Sequence, residues 1–131
     1  MRKLLLLLAV GALFMATSCS KETAVTAKLT WTDDENLDLT SGWKISIYKG
    51  ALNFISSADY AQEAIQTNNI KVNDATASFT VTCDDSYENF TIVAFNDNNS
   101  NGKFDSGENA ATIYDMVERG EDAEMELEIE Y

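Results

Sequence analysis

The chain has 131 residues, enough for one domain with a hydrophobic core, and 22 acidic against nine basic residues give a formal net charge of −13. So acidic a chain is a poor ligand for nucleic acid, which proteins bind largely through Lys and Arg. The sequence contains no His, no glycine-rich phosphate loop and no G-x-S-x-G element, so we predict a protein that is not an enzyme. A pair of carboxylates remains the one catalytic arrangement left open.

The N-terminal segment has the order of parts of a secretory signal. A short basic start is followed by an apolar run over residues 4–15 and then by three small residues. The apolar run is shorter than the roughly 20 residues that a membrane-spanning helix needs, which favours a signal peptide over an N-terminal membrane helix. We therefore predict that residues 1–18 are a signal peptide and that the mature chain starts at Cys19.

The residues around this cysteine, MATSCSKE, resemble the lipobox of bacterial lipoproteins. A relaxed box with Ser before Cys is similar to those of Bacteroidota, and residues 20–22 (SKE) are similar to the signal that sends such lipoproteins to the cell surface. The resemblance implies that Cys19 is lipidated and that residues 19–24 form a tether. The protein would then be anchored in the outer membrane by its lipid, with its domain facing outward.

Cleavage of the signal peptide would make the mature chain more acidic. It would remove Arg2 and Lys3, which leaves seven basic residues against 22 acidic ones and a formal net charge of −15. It would also leave Cys83 without a second free cysteine, because Cys19 would carry the lipid. We therefore expect a domain without a disulfide.

Alternation of apolar and polar residues predicts the strands of residues 25–131. Such alternation is typical of strands with one buried face, whereas residues 90–95 are apolar on both faces, as expected of a central strand. Residues 110–118 fit either a helix or a strand, and we favour a strand that forms a hairpin with the last segment. The alternating segments are 25–31, 43–48, 77–83 and 123–131.

The phase of this alternation also predicts which side chains are buried. Trp31 and Trp43 are in phase with apolar neighbours, which favours burial over a sugar-stacking platform. Cys83 is in the buried phase as well, and Tyr48 is in the exposed phase. The four Glu residues at alternate positions of 124–130 face outward, where they would block edge-to-edge pairing or, alternatively, bind cations or a basic partner.

One helix is predicted over residues 57–66, because Ser56 is followed three residues later by Asp59 in a capping arrangement. With the strands, this gives a mainly all-β fold. We predict a single antiparallel β-sandwich over residues 25–131, of the immunoglobulin or transthyretin-like kind, with one short helix.

Residues 97–108, DNNSNGKFDSGE, match the calcium-loop pattern D-x-[DN]-x-[DN]-G-x₅-E at every constrained position. Ca²⁺ binds six to eight hard oxygen ligands, and alternate side chains of a tight coil can point at one centre. The preceding segment is a strand, so we expect a structural ion and no switch. A polar turn without an ion is the alternative, since Asx turns are common in such loops. The predicted ligands are Asp97, Asn99, Asn101, the backbone carbonyl of Lys103, Asp105 and Glu108.

The strand YENFTIVAFND, this loop and a terminal hairpin together resemble the transthyretin-like (prealbumin-type) sandwiches of many surface lipoproteins. The resemblance covers residues 75–131, and the helix at 57–66 departs from it. We expect a binding or accessory module that contacts an unknown protein or glycan. A structural component of an envelope or fimbrial assembly is the alternative, and a carboxylate-based hydrolase is a further one.

Overall fold

The computed structural model describes residues 21–131. The predicted signal peptide and Cys19 lie outside the described residues. Within the described range the chain forms seven strands and one short helix. These are β1 (Lys21–Thr32), β2 (Trp43–Lys49), α1 (Ser57–Tyr60), β3 (Gln66–Asn69), β4 (Thr76–Cys83), β5 (Tyr87–Asn96), β6 (Ala110–Glu118) and β7 (Ala123–Glu130).

The strands form two sheets that pack face to face. The first sheet has the order β4-β1-β7 and the second has the order β3-β2-β5-β6. Neighbouring strands are antiparallel except β1 and β7, which run parallel with Val25 opposite Ala123 and Thr32 opposite Glu130. The predicted all-β sandwich with one short helix is confirmed.

The main core lies between the two sheets and is made by alternate residues of every strand except β3. Val25 and Ala27 of β1 are fully buried, and Ile92 of β5 faces them from the second sheet. Each large aliphatic or aromatic side chain buried in this way stabilises the fold by about 1.5–3 kcal/mol. The alternation in β7 is as predicted, with its Glu side chains exposed and with Met125, Leu127 and Ile129 buried.

A second group of apolar side chains covers part of the outer face of the second sheet. The connection between β2 and β3, which includes α1, lies over this face. We call the group the outer aromatic cluster. It consists of Tyr48, Phe54, Tyr60, Phe95 and Phe104, whose rings meet with centroid separations of 5.1–5.5 Å.

The outer aromatic cluster corrects the prediction for Tyr48, which is only 4% exposed. The ring of Tyr48 packs edge-on against Phe54, with centroids 5.4 Å apart. Alternation assigned Tyr48 to the outer face of the sheet correctly, but it carries no information on whether another segment covers that face. The same cover explains why β5 is buried on both faces, as predicted for a central strand.

The helix is shorter than predicted and is followed by β3, a strand that was not predicted from the sequence. The Oγ of Ser56 accepts a hydrogen bond from the N–H of Asp59 at 3.3 Å, as the capping pattern predicted. The helix nevertheless ends at Tyr60, and the Ile65 N–H donates to the Ile47 carbonyl at 2.7 Å, directly before β3. Pairing with the open edge of β2 therefore takes up residues 65 and 66 of the predicted helix, and residues 61–64 connect α1 to this pairing.

The predicted terminal hairpin is also wrong, although β6 is a strand as expected. β6 pairs with β5 and β7 pairs with β1, so residues 119–122 cross from one sheet to the other. A hydrogen bond of 2.8 Å from the Gly120 N–H to the Thr23 hydroxyl holds this crossing. Strand β1 begins at Lys21, opposite Cys83, so residues 21–24 of the predicted tether belong to the sheet.

The two Trp residues differ in their burial. Trp43 is 2% exposed, and its indole N–H donates to the Leu39 carbonyl. Trp31 is partly buried and packs edge-on against Trp43 and Tyr131, with centroid distances of 5.4 and 5.8 Å. Burial is confirmed for Trp43 and holds only in part for Trp31.

This difference leads to a fluorescence prediction. A Trp31→Phe variant, in which Trp43 is the only Trp, should emit at shorter wavelength and resist quenching by acrylamide until the protein unfolds. A Trp43→Phe variant, which keeps Trp31, should be quenched more readily. Quenching of both variants as fast as free tryptophan would contradict the packing of the two rings.

Candidate metal centre

The loop of residues 97–108 connects β5 to β6 at one end of the sandwich. Strand β5 starts beside the point where β1 begins, because Lys21 pairs with Cys83 and a three-residue turn leads from Cys83 to Tyr87. β5 then runs the length of the sandwich, so the loop lies at the end opposite the start of β1.

The base of the loop is fixed to the turn that precedes β2. The side-chain amide of Asn96 donates to the Ser41 carbonyl at 2.7 Å, and the Asp97 N–H donates to the Gly42 carbonyl at 3.0 Å. Across the loop, the Asn96 N–H donates to the Asn109 carbonyl at 2.9 Å. The first predicted ligand therefore starts from a rigid position.

Phe104 anchors the middle of the loop, a role that was not predicted from the sequence. Its side chain is 7% exposed and contacts the rings of Phe54, Tyr60 and Phe95 at centroid distances of 5.1, 5.4 and 5.5 Å. The available signal was one large apolar residue in an otherwise polar loop, since such a residue needs an apolar surface to cover it.

Asp97 is the buried centre around which the loop turns. It is 5% exposed, and its two carboxylate oxygens accept the N–H groups of Asn101 at 3.1 Å and Gly102 at 2.8 Å. Gly102 has φ +79°, so the glycine permits the sharp turn that the pattern predicted. The Lys44 ammonium lies 4.0 Å from the Asp97 carboxylate and partly balances its charge.

The side chains of Asn99, Asn101 and Asp105 converge on one point. The oxygens of Asn99 and Asn101 accept backbone N–H groups two residues ahead, at 3.0 and 2.7 Å. Their amide nitrogens both donate to the same oxygen of Asp105, at 2.9 and 2.5 Å. These bonds, first that from Asn99 and then that from Asn101, lower the pKa of Asp105 below its ordinary value, and the charge of Lys103 acts in the same direction.

Glu108 closes the loop with both carboxylate oxygens. One oxygen accepts the N–H of Asn98 and the other that of Asp105, each at 3.0 Å. The side chain of Lys103 is exposed to solvent, as expected if only its carbonyl were a ligand. The structure thus brings the five side chains of the predicted calcium site into one hydrogen-bonded loop.

The chemistry of these groups fits calcium. In residues 21–131 no three Asp, Glu, Cys or His side chains are grouped so as to hold a metal ion by themselves, so the amide oxygens would be needed as well. A carboxylate or amide oxygen that accepts one hydrogen bond keeps a second lone pair for an ion. The loop supplies such hard oxygens from Asp97, Asn99, Asn101 and Glu108. One Asp105 oxygen accepts two N–H donors, so Asp105 would bind an ion through its other oxygen.

Comparison with known proteins assigns no function to this loop. Across residues 21–131 no helix is both long and apolar enough to span a bilayer. No protein-family model matches the chain, and no curated protein or solved structure matches it either.

Proposed function

We propose that the protein is a lipoprotein tethered to the outer membrane through Cys19, whose sandwich is a non-catalytic binding or accessory module with a structural Ca²⁺ in loop 97–108. The observation that supports calcium binding is that the Asn99 and Asn101 side chains both reach Asp105. Their amide nitrogens donate to it, and rotation of the two amides would point their oxygens at the same place. Asp97 and Glu108 are held in the same loop by backbone N–H groups. The spacing of these residues in the sequence is that of a calcium loop.

Charge is the physical reason for an ion in this loop. Three carboxylates lie within 12 residues, and the basic group near them in the sheet is Lys44, at 4.0 Å from Asp97. A divalent cation would offset their mutual repulsion and hold the loop ends together. The bound ion would be held by the side chains of Asp97, Asn99, Asn101, Asp105 and Glu108 and by the Lys103 carbonyl.

The ion would stabilise the loop without rearranging the fold. Strands flank the loop on both sides, and Phe104 is already packed in the outer aromatic cluster. A calcium switch needs an element with two alternative packings, such as a pair of helices that opens. The two paired strands that flank the loop and the packed Phe104 ring do not supply such an element.

The position of β1 supports a short connection to the membrane. Lys21, the first residue of β1, comes two residues after Cys19, and each extended residue spans at most about 3.6 Å. The 12 residues of β1 extend about 40 Å from that point. A lipid on Cys19 would therefore hold one end of the sandwich at the membrane and the calcium loop at the far end, in water.

Lipidation is tested at Cys19. We expect labelled palmitate to enter the wild-type protein and not the Cys19→Ala variant, because the thiol is the acceptor of the lipid. Cys83 is buried in the core and serves as the internal control, since Cys83→Ala should leave the labelling unchanged. Equal labelling of wild type and Cys19→Ala, or no labelling of either, would contradict the anchor.

The outward orientation is tested separately. Mild protease treatment of intact cells should remove the domain if it faces outward, as residues 20–22 suggest. Complete protection in intact cells, with cleavage after the outer membrane is permeabilised, would place the domain on the periplasmic side.

A second candidate function, a structural role in an envelope assembly, is favoured by an apolar patch. Tyr87, Tyr114 and Met116 are 55–58% exposed on the outer face of β5 and β6, beyond the outer aromatic cluster. Exposed apolar patches of this kind mark protein contacts. Cross-linking in cells through a photoreactive residue at position 114 would support assembly if it captured a defined partner chain.

A further inference from the structure

A cleft of about 310 Å³ lies between the calcium loop and the segment that contains α1. Residues 102–105 of the loop form one wall, residues 60–64 form the other, and Tyr48 reaches the cleft from the sheet. The volume is at the lower end of the range for small-molecule sites, roughly 300–1,000 Å³. The cleft is therefore large enough for a ligand of about one or two sugar rings.

The lining of the cleft combines aromatic rings with hydrogen-bonding groups of both kinds. The aromatic residues are Tyr48, Tyr60 and Phe104, and the polar ones include Gln62, Lys103 and Asp105. Burial raises the pKa of Tyr48, an effect to which the Asp105 charge adds and which the Ser46 hydroxyl opposes. The Tyr48 hydroxyl is therefore protonated at neutral pH and can donate a hydrogen bond.

The charges of the lining argue against an acidic ligand. The carboxylates of Glu63 and Asp105 would repel it, and a basic ligand, although attracted to them, would meet the ammonium of Lys103. A neutral ring with many hydroxyl groups avoids both repulsions. Its C–H groups can pack on the faces of aromatic rings, while its hydroxyls bond to amide and carboxylate groups.

We propose that this cleft binds one or two rings of a neutral saccharide. The proposal deepens the binding function proposed above and rests on it in one respect, because Asp105 belongs to both the calcium loop and the wall of the cleft. An ion that holds residues 102–105 in place also holds that wall. Saccharide affinity should therefore be higher with calcium than without it.

The test uses the ¹⁵N-labelled mature chain with Cys19→Ala, which keeps it free of lipid. It is titrated with four neutral tetrasaccharides, built from glucose in α- and in β-linkage, from mannose and from xylose. For at least one of them we expect chemical-shift changes at residues 60–64 and 102–105, with a dissociation constant in the millimolar range. Removal of calcium with EGTA should weaken that binding by about tenfold or more.

Two Trp substitutions locate the site. Ala61 lines the cleft and is exposed, so Ala61→Trp should fill the space and abolish the shifts without unfolding the domain. Ala58 lies in α1, is also exposed and does not line the cleft, so Ala58→Trp is the matched control and should leave binding unchanged. Binding that persists in Ala61→Trp would overturn the assignment to the cleft.

The remaining outcomes separate this proposal from the calcium proposal. No shift with any of the four tetrasaccharides, together with stabilisation by calcium, would contradict saccharide binding in the cleft but not calcium binding in the loop. Saccharide binding that is equal in calcium and in EGTA, with no stabilisation by calcium, would contradict calcium binding in the loop but not saccharide binding in the cleft. Shifts at the same residues with tetralysine or oligogalacturonate, and with none of the neutral sugars, would overturn the ligand class.

Discussion

The Phe104→Ala variant is expected to lose about 3 kcal/mol in the free energy of unfolding, measured in EGTA by urea denaturation of the mature chain with Cys19→Ala. Phe104 is 7% exposed and touches the rings of Phe54, Tyr60 and Phe95. Truncation removes these contacts and leaves a cavity that the paired strands beneath cannot close. Loop 97–108 would then lose its attachment to the sheet, so the calcium affinity that we propose for it should fall as well.

The neighbouring residue gives the control for this experiment. Lys103 is exposed, and its side chain takes no part in the hydrogen bonds that hold the loop, so Lys103→Ala should change stability by less than about 0.5 kcal/mol. A loss below about 1 kcal/mol for Phe104→Ala would mean that the loop is not anchored through this ring.

Calcium is expected to raise the melting temperature of the mature chain by about 4–6 °C. With a dissociation constant of about 10⁻⁴ M, as for weak extracellular sites, about 1 mM free calcium adds RT ln(1 + 10), about 1.4 kcal/mol. For a domain of this size that free energy corresponds to the stated shift. Thermal melts in EGTA and in excess calcium measure it directly. Magnesium should act much less, because it requires a tighter octahedral shell and keeps its water.

Variants of two carboxylates show whether the ion is in the loop. Glu108→Gln removes one charge from the loop ends while keeping the size of the side chain, and it should abolish the calcium shift. Asp115 lies outside the loop on β6, where its carboxylate accepts the adjacent Met116 N–H at 2.7 Å, so Asp115→Ala should keep the shift. Identical melts of the wild type in EGTA and in calcium, with no heat in a titration at millimolar calcium, would mean that the loop is a polar turn without an ion.

Much of the candidate site was predictable because its contacts are local. The residues that converge in loop 97–108 lie within 12 positions, and their spacing alone brings Asn99 and Asn101 to Asp105. Gly102 adopts the positive φ that its place in the pattern required. The missed residue, Phe104, depends on Phe54 and Tyr60, which come from a distant segment. No local pattern shows that this segment crosses the sheet beside the loop.

The sequence by itself determined β1, β2, β4 and β7, the faces they turn to the core and the all-β class, because a period of two in apolar residues is a property of one strand and needs no partner. Only the tertiary structure decided which strands pair. β7 joins β1 in parallel, with Thr26 opposite Glu124, and β6 joins β5, although β6 and β7 are adjacent in sequence. Likewise, the edge of β2 drew residues 66–69 into a strand, and the segment above it buried Tyr48. These outcomes depend on residues up to about a hundred positions apart, whose competing contacts are resolved only when the whole core packs.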